Sequence, residues 1–207
     1  MFYFIGGAPR TGKTILSKRL SKELGVPWIS VDTLESVIMR YVSGDSFDAI
    51  FPKTAIRKIT RGSNDVMYTQ YSTTDIVEAY KKQARTTWEA IKVFIECEAM
   101  YDHSYIIEGH QIHPELLNSF ADIDMKVIFL GRENVKDTIY SATQFAGKHD
   151  WFTEKTQNKE TYEKMAEMLV RYSKYFKQEA EKYGFEYSSV DGNFKEIHDR
   201  AFEGMAR

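Results

Sequence analysis

The chain has 207 residues, with 28 Lys+Arg against 30 Asp+Glu for a net charge of −2, and a hydrophobic fraction of 43%. That suffices for one domain with a buried core, and it excludes a disordered chain and a general nucleic-acid binder, which needs a basic excess to meet phosphates. The longest apolar run, Val127 to Gly131, is far short of the ~20 residues that cross a bilayer, so no membrane partner is expected.

Met1 to Arg10 shows no basic segment followed by an apolar one, so no secretory signal is expected. Cys97 stands alone and cannot form an intrachain disulfide, which makes the reducing cytosol the expected compartment. Phe2 to Ile5, ending at Gly6-Gly7, reads as a buried strand. A helix is predicted from Gly12 to about Glu23, with Ile15, Leu16, Leu20 and Leu24 on its apolar side and Gly25 as its stop. Val26 to Val31 reads as a second strand, with Pro27 tolerable at its start. Asp32 falls where that strand gives way to a helix carrying Leu34, Val37, Ile38 and Tyr41.

Residues 42–72 hold neither period, and read as irregular chain with short helices. From Thr73 the helical period returns through Ile76, Tyr80, Ala84, Trp88, Ile91 and Ile95, ending near Tyr101. Ser104 to Glu108, closed by Gly109, and Met125 to Leu130, closed by Gly131, read as the third and fourth strands. A helix is predicted from Arg132 or Glu133 toward Phe145. Gly147 to Asn158 reads as a mobile polar loop, with Trp151 and Phe152 either folding over a ligand or packing locally. A long helix from about Thr161 to Tyr183 stops at Gly184, Phe185 to Val190 is the fifth strand, and Phe194 to Phe202 a terminal helix. Strands alternating with helices predict a three-layer α/β/α fold around a parallel sheet.

Gly7-Ala8-Pro9-Arg10-Thr11-Gly12-Lys13-Thr14 matches G-x-x-x-x-G-K-[ST] in full, between a strand and a helix. Glycines let successive N–H groups turn toward phosphate oxygens, Lys13 adds a positive charge, and Thr14 offers a hydroxyl to Mg²⁺. ATP and Mg²⁺ are therefore the expected cofactors.

With this loop on the first strand, the whole pattern resembles the small P-loop kinases. These are the nucleoside monophosphate kinase-like group, with shikimate kinase, chloramphenicol phosphotransferase, zeta-toxin and 2-phosphoglycerate kinase relatives. The resemblance implies a P-loop NTPase fold with a five-stranded parallel sheet in the order 2-3-1-4-5. It also implies a single kinase domain over residues 1–207, with an acceptor-binding helical region at 33–103 and a lid at 132–160. Asp32 matches the acid that faces the acceptor hydroxyl in the chloramphenicol and zeta-type phosphotransferases; as an N-cap it would serve equally well. Glu108 stands at the Walker-B position as a Mg²⁺ holder, with a plain surface acid as the alternative, and uridine kinase-like sequences also carry an acid followed by Gly there.

By the same resemblance Arg132 opens the lid, and Arg171 is either an arginine that reaches the transferred phosphate or a solvated helix residue. The arginine-rich lid signature of adenylate kinases is missing, since Gly147 to Lys155 offers only Lys148 and Lys155. Val190-Asp191-Gly192 resembles the tripeptide that borders adenine in adenylate kinases. Gly109 and His110 could touch an acceptor. Residues 40–61 contain Arg40, Lys53, Arg57, Lys58 and Arg61 against Asp45 and Asp48, a local excess of three positive charges that suits a small anionic acceptor, with Arg40 nearest Asp32. The expected function is ATP-dependent phosphoryl transfer to a small metabolite. A nucleotide-hydrolysing switch is the alternative, although Phe129 to Arg132 lacks the Asn-Lys-x-Asp element of GTPases.

Overall fold

Both faces of the sheet are buried, and the strand sequences show why. In the computed structural model, which describes residues 1–120, 122–147 and 150–207 apart from the Asp45 side chain, β1 (Phe2–Gly7) pairs in parallel with β3 (Tyr105–Glu108) and β4 (Met125–Gly131). The short β2 (Trp28–Ser30) joins β3, and β5 (Glu186–Ser189) joins β4, so the order is β2-β3-β1-β4-β5. Successive side chains on a strand point to opposite faces. Ile5, Ile106 and Ile128 therefore meet Leu16, Leu20, Ala201 and Met205 on one side, from α1 (Lys13–Leu24) and the terminal helix Phe194–Ala206. Phe4, Ile107 and Phe129 meet Ile91, Ile95, Met168 and Phe176 on the other. Continuous apolar runs are what a doubly covered parallel sheet demands.

The helices follow the periods closely. Gly12, Gly25 and Gly184 take the left-handed conformation (φ 81°, 65° and 72°) at helix ends, where residues with a Cβ are strained. Residues 31–100 form α2 (Val31–Met39), α3 (Phe47–Ile50), α4 (Pro52–Ile59), α5 (Asn64–Gln70) and α6 (Thr73–Met100). The last opens on a Ser72–Asp75 capping box. After β3 a four-residue helix, α7 (Pro114–Leu117), appears that the apolar pattern did not announce, though Pro114 at its first position is a start signal. The chain then continues through α8 (Val135–Gln144), α9 (Lys159–Tyr183) and α10 (Phe194–Ala206).

Two expectations are corrected. The second strand is three residues long, because Pro27 accepts from the Ile106 N–H (2.9 Å) but has no N–H of its own to continue the ladder. Helix α2 therefore starts at Val31, Ser30 is its N-cap, and Asp32 lies inside the first turn, so it is not the cap. The polar loop is packed rather than loose over residues 150–158: Phe152 is fully buried, and Asn64 of α5 donates to the Trp151 carbonyl (2.7 Å) and the Thr156 hydroxyl (2.8 Å). Lys148 lies outside the described residues. No helix among the described residues is long and apolar enough to cross a membrane.

Behind the sheet's carboxyl edge, His113 is buried with a tyrosine hydroxyl on each ring nitrogen. Tyr172 lies 2.8 Å from Nε2 and Tyr175 3.1 Å from Nδ1, and Tyr172 donates its own proton to the His110 carbonyl (3.0 Å). Tyr172 must then accept from an Nε2–H, which leaves Nδ1 of a neutral His113 to accept from Tyr175. Burial, with Arg85 and Lys81 nearby, pushes His113 down to about 3. Between its ordinary 6.5 and that value the unfolded chain takes up a proton that the folded chain refuses. Stability is therefore full above pH 6.5 and falls with acidification, by up to about 1.4 kcal/mol per pH unit. Urea midpoints at pH 7 and pH 5 should differ accordingly. A His113→Gln variant, less stable at pH 7, should show the shallower fall, and equal slopes for the two proteins would refute this account.

Candidate functional site

The exit of β1 is bent into a cradle. Gly7 (φ 116°) could not carry a Cβ, which would stand 1.9 Å from the Leu130 carbonyl oxygen, and Arg10 (φ 62°) and Gly12 (φ 81°) turn the following peptides inward. Ala8 is the hinge pin: its N–H donates to the Leu130 carbonyl (3.2 Å), and its own carbonyl accepts from the Thr11 hydroxyl (2.9 Å) and from Lys13 Nζ (2.6 Å). The first N–H groups of α1 have no partners within the helix and carry its positive dipole end toward the cradle. Burial pulls the Lys13 ammonium down from its ordinary range, while Glu108 and Asp32 oppose that pull.

A cleft of about 710 Å³ opens over this loop, lined by Pro9, Arg10, Gly12, Lys13 and Thr14 from the loop itself. At the end of β3, Glu108 is only 4% exposed and accepts from the Thr14 hydroxyl at 3.0 Å. Asp32 projects into the cleft with 65% of its side chain exposed. Its Oδ1 accepts from Gln111 Nε2 (2.7 Å) and lies 3.6 Å from His110 Nε2. Partial burial pushes the Asp32 carboxyl up, but His110, Lys53, the Gln111 hydrogen bond and Lys13 together hold it below the usual range. His110 is buried and pushed well below its ordinary value, first by that burial and then by Lys53. Lys53 Nζ stands 3.3 Å from His110 Nε2 and 3.3 Å from Glu35 Oε2, over the Tyr80 ring.

On the β4 side Arg132 is buried. It donates to the Arg10 carbonyl (3.2 Å), Asp191 Oδ1 (3.3 Å) and the Ser141 hydroxyl (2.8 Å). Arg10 pairs with Asp150 and donates to the Ala142 carbonyl (3.0 Å), tying the phosphate loop to α8 and to the segment after it. Ser141, Phe145, Asp150, Trp151 and Phe194 complete this side of the cleft.

The fold thus brings Lys13, Thr14, Asp32, Glu108, Gly109, His110 and Arg132 to one cleft. Arg40, an exposed residue at the end of α2, and Arg171, exposed on α9, do not line it. Asp191 and Gly192 also stay outside the lining; Asp191 instead accepts from the Glu133 and Asn134 N–H groups and so joins the end of β5 to the start of α8. Sequence reasoning missed Gln111 and Glu35, and named Lys53 only as one of the cations of residues 40–61, behind Arg40. Gln111 follows Gly109-His110 directly and could have been included; Glu35, three residues past Asp32, would be found only by placing α2 in three dimensions. Among the described residues no group of three or more His, Cys, Asp or Glu converges to hold a metal unaided.

Comparison with a solved gluconokinase agrees on the architecture. A gluconokinase from Sinorhizobium meliloti 1021 superposes with a TM-score of 0.52 at 14% identity, covering 100% of this chain and 91% of that one. A shikimate kinase from Aquifex aeolicus vf5 matches with a TM-score of 0.43 at 15% identity, over 99% of this chain and 95% of that one. No curated protein matches by sequence. The fold is that of the small P-loop kinases. The sulfotransferase domain family model matches residues 3–185, from the first residues of β1 to the threshold of β5. On a match of that length, the chain belongs to the sulfotransferase domain family, a family of group transferases built on the same phosphate-loop architecture.

Proposed function

We propose that the chain is a kinase that transfers the γ-phosphoryl group of Mg·ATP to the hydroxyl of a small acceptor. The observation that carries this reading is the pairing of the Thr14 hydroxyl with the Glu108 carboxylate at 3.0 Å, directly beside Lys13. Mg²⁺ demands hard oxygen ligands and is held by one or two protein oxygens together with phosphates and water. A threonine hydroxyl and a carboxylate at the lip of a phosphate cradle fit that requirement. Bound there, the cation would offset charge on the phosphates.

The chain's own residues have distinct tasks under this reading. The loop amides and the start of α1 bind and orient phosphate oxygens. Lys13 exchanges the Ala8 carbonyl for a phosphate oxygen, its charge supported by Glu108 and Asp32. Asp32, ionised and steadied by Gln111, accepts a hydrogen bond from the acceptor hydroxyl and takes up its proton. Arg132 holds the loop carbonyl of Arg10 in place and secures the cleft wall. The acceptor enters beside Trp28, Ser30 and Asp32, where none of the described residues of 33–103 lines the cleft, and the described part of 132–160 closes the cleft against water through Ser141, Phe145, Asp150 and Trp151. The acceptor is a small molecule and no nucleic acid is involved.

Family membership favours one other reading, sulfuryl transfer from a phosphosulfate donor (PAPS). The Thr14–Glu108 pair argues against it. Without a cation between them, a buried carboxylate facing an anionic donor would repel what the loop binds.

Isothermal titration should detect ATP only with Mg²⁺ present, and Glu108→Gln should weaken that binding at least about tenfold. PAPS bound equally well with and without Mg²⁺, while ATP is ignored, would establish sulfuryl transfer instead. Asp32→Asn should lower acceptor-dependent ADP formation by about 100-fold or more while changing ATP affinity less than about twofold; an unchanged turnover would remove Asp32 from the mechanism.

A further inference from the structure

The β2–β3 side of the cleft has few cations to offer a second substrate. Trp28, Ser30, Asp32, Glu108, Gly109 and His110 line it, and Ile15 of α1 lines the same cleft. Lys13 is the one described cation among the lining residues on this side, and it belongs to the phosphate loop. His110 is buried, with its Nε2 3.6 Å from Asp32 Oδ1 and 3.3 Å from Lys53 Nζ. Behind it, the Lys53 side chain is 18% exposed and already paired with Glu35. Lys18 is held over the Trp28 ring at 5.4 Å and does not line the cleft.

The cationic excess of residues 40–61 is spent elsewhere. Arg57 donates to Asn64 Oδ1 (2.5 Å), Lys58 lies over the Phe47 ring (5.7 Å), and Arg40 and Arg61 are exposed and outside the lining. An anionic acceptor placed here would face Asp32 and a polyphosphate with no described cation of its own, and an unpaired charge taken into a cleft is strongly disfavoured. The apolar groups point the other way. Ile15 is 60% exposed on the first turn of α1, and half-buried Trp28 lines the same cleft. A ligand covering both would bury apolar surface next to the Asp32 carboxylate.

We propose that the acceptor is an uncharged alcohol whose apolar face lies on Trp28 and Ile15 while its hydroxyl meets Asp32. This inference rests on the phosphotransfer reading given above. In the balanced reaction the alcohol oxygen forms a bond to the γ-phosphorus of the co-substrate ATP. The bond from that phosphorus to the oxygen bridging it to the β-phosphate breaks, ADP leaves, and the hydroxyl proton departs through Asp32 to solvent.

The test measures ADP release with Mg·ATP and matched acceptors: 2-phenylethanol, cyclohexanediols and aryl diols against glycerate, glycerol phosphate and ethanolamine. Activity with the uncharged set, and at least about tenfold less with the charged set, is expected. Trp28→Ala should raise KM for the active alcohol at least about tenfold with kcat changed less than about threefold and ATP affinity unaltered, and Trp28→Phe should recover most of the loss. Turnover confined to acids, phosphate esters or amines would overturn the inference while leaving the kinase assignment intact. So would an unchanged KM in Trp28→Ala, or Mg·ATP binding without turnover on any acceptor of the panel. Absence of Mg·ATP binding would remove the kinase assignment itself, and this inference with it.

Discussion

One carbonyl holds the phosphate loop in shape. The Ala8 oxygen accepts from both Thr11 and Lys13, while the Ala8 N–H is tied to the neighbouring strand at Leu130. These bonds fold the loop back over its own strand and keep the Lys13 ammonium satisfied inside a buried site, where an unpaired charge would be costly. The arrangement is also a poised one. The lysine can leave a carbonyl for a phosphate oxygen without a net loss of hydrogen bonds, and the loop keeps the Thr11 and Leu130 bonds meanwhile.

The rest of the site is arranged around that loop by charge. Arg132 ties together the Arg10 carbonyl, Asp191 and Ser141, joining the ends of β4 and β5 to the cradle and to α8. Arg10, strained into the left-handed region, pairs with Asp150 beyond α8. Both guanidinium groups are thus committed to the scaffold. On the opposite side Lys53 and Glu35 neutralise one another behind His110, and Asp32 projects into the cleft with its carboxyl held below the usual range. A cradle that binds phosphate oxygens is compatible with phosphoryl and with sulfuryl donors. The difference between a kinase and a sulfotransferase therefore rests on the residues beside it, here the Thr14–Glu108 pair.

Much of this was legible in one dimension. The fold class, all five strands, the loop from Gly7 to Thr14 and the helix stops at Gly25 and Gly184 follow from local patterns, because apolar period and glycine conformation act over a few residues. The strand order came from family resemblance, and the sheet has that order. The loop after Gly147 was read as mobile from its polar composition, with local packing of Trp151 and Phe152 as one of two readings for the aromatic pair; Phe152 is fully buried, and that burial outweighs its polar neighbours. Arg40 was favoured for its closeness to Asp32 in the chain, yet at the end of α2 it is exposed and outside the cleft lining, while Lys53, 21 residues beyond Asp32, arrives beside His110.

By itself the amino-acid order determined a doubly covered parallel sheet and an anion cradle on its first strand, since those depend on contacts between near neighbours. Only the tertiary structure decided which charged groups are free to meet a ligand. Pairing of Lys53 with Glu35, Arg10 with Asp150 and Arg132 with Asp191 joins residues from different elements, and Coulomb attraction acts through space rather than along the chain.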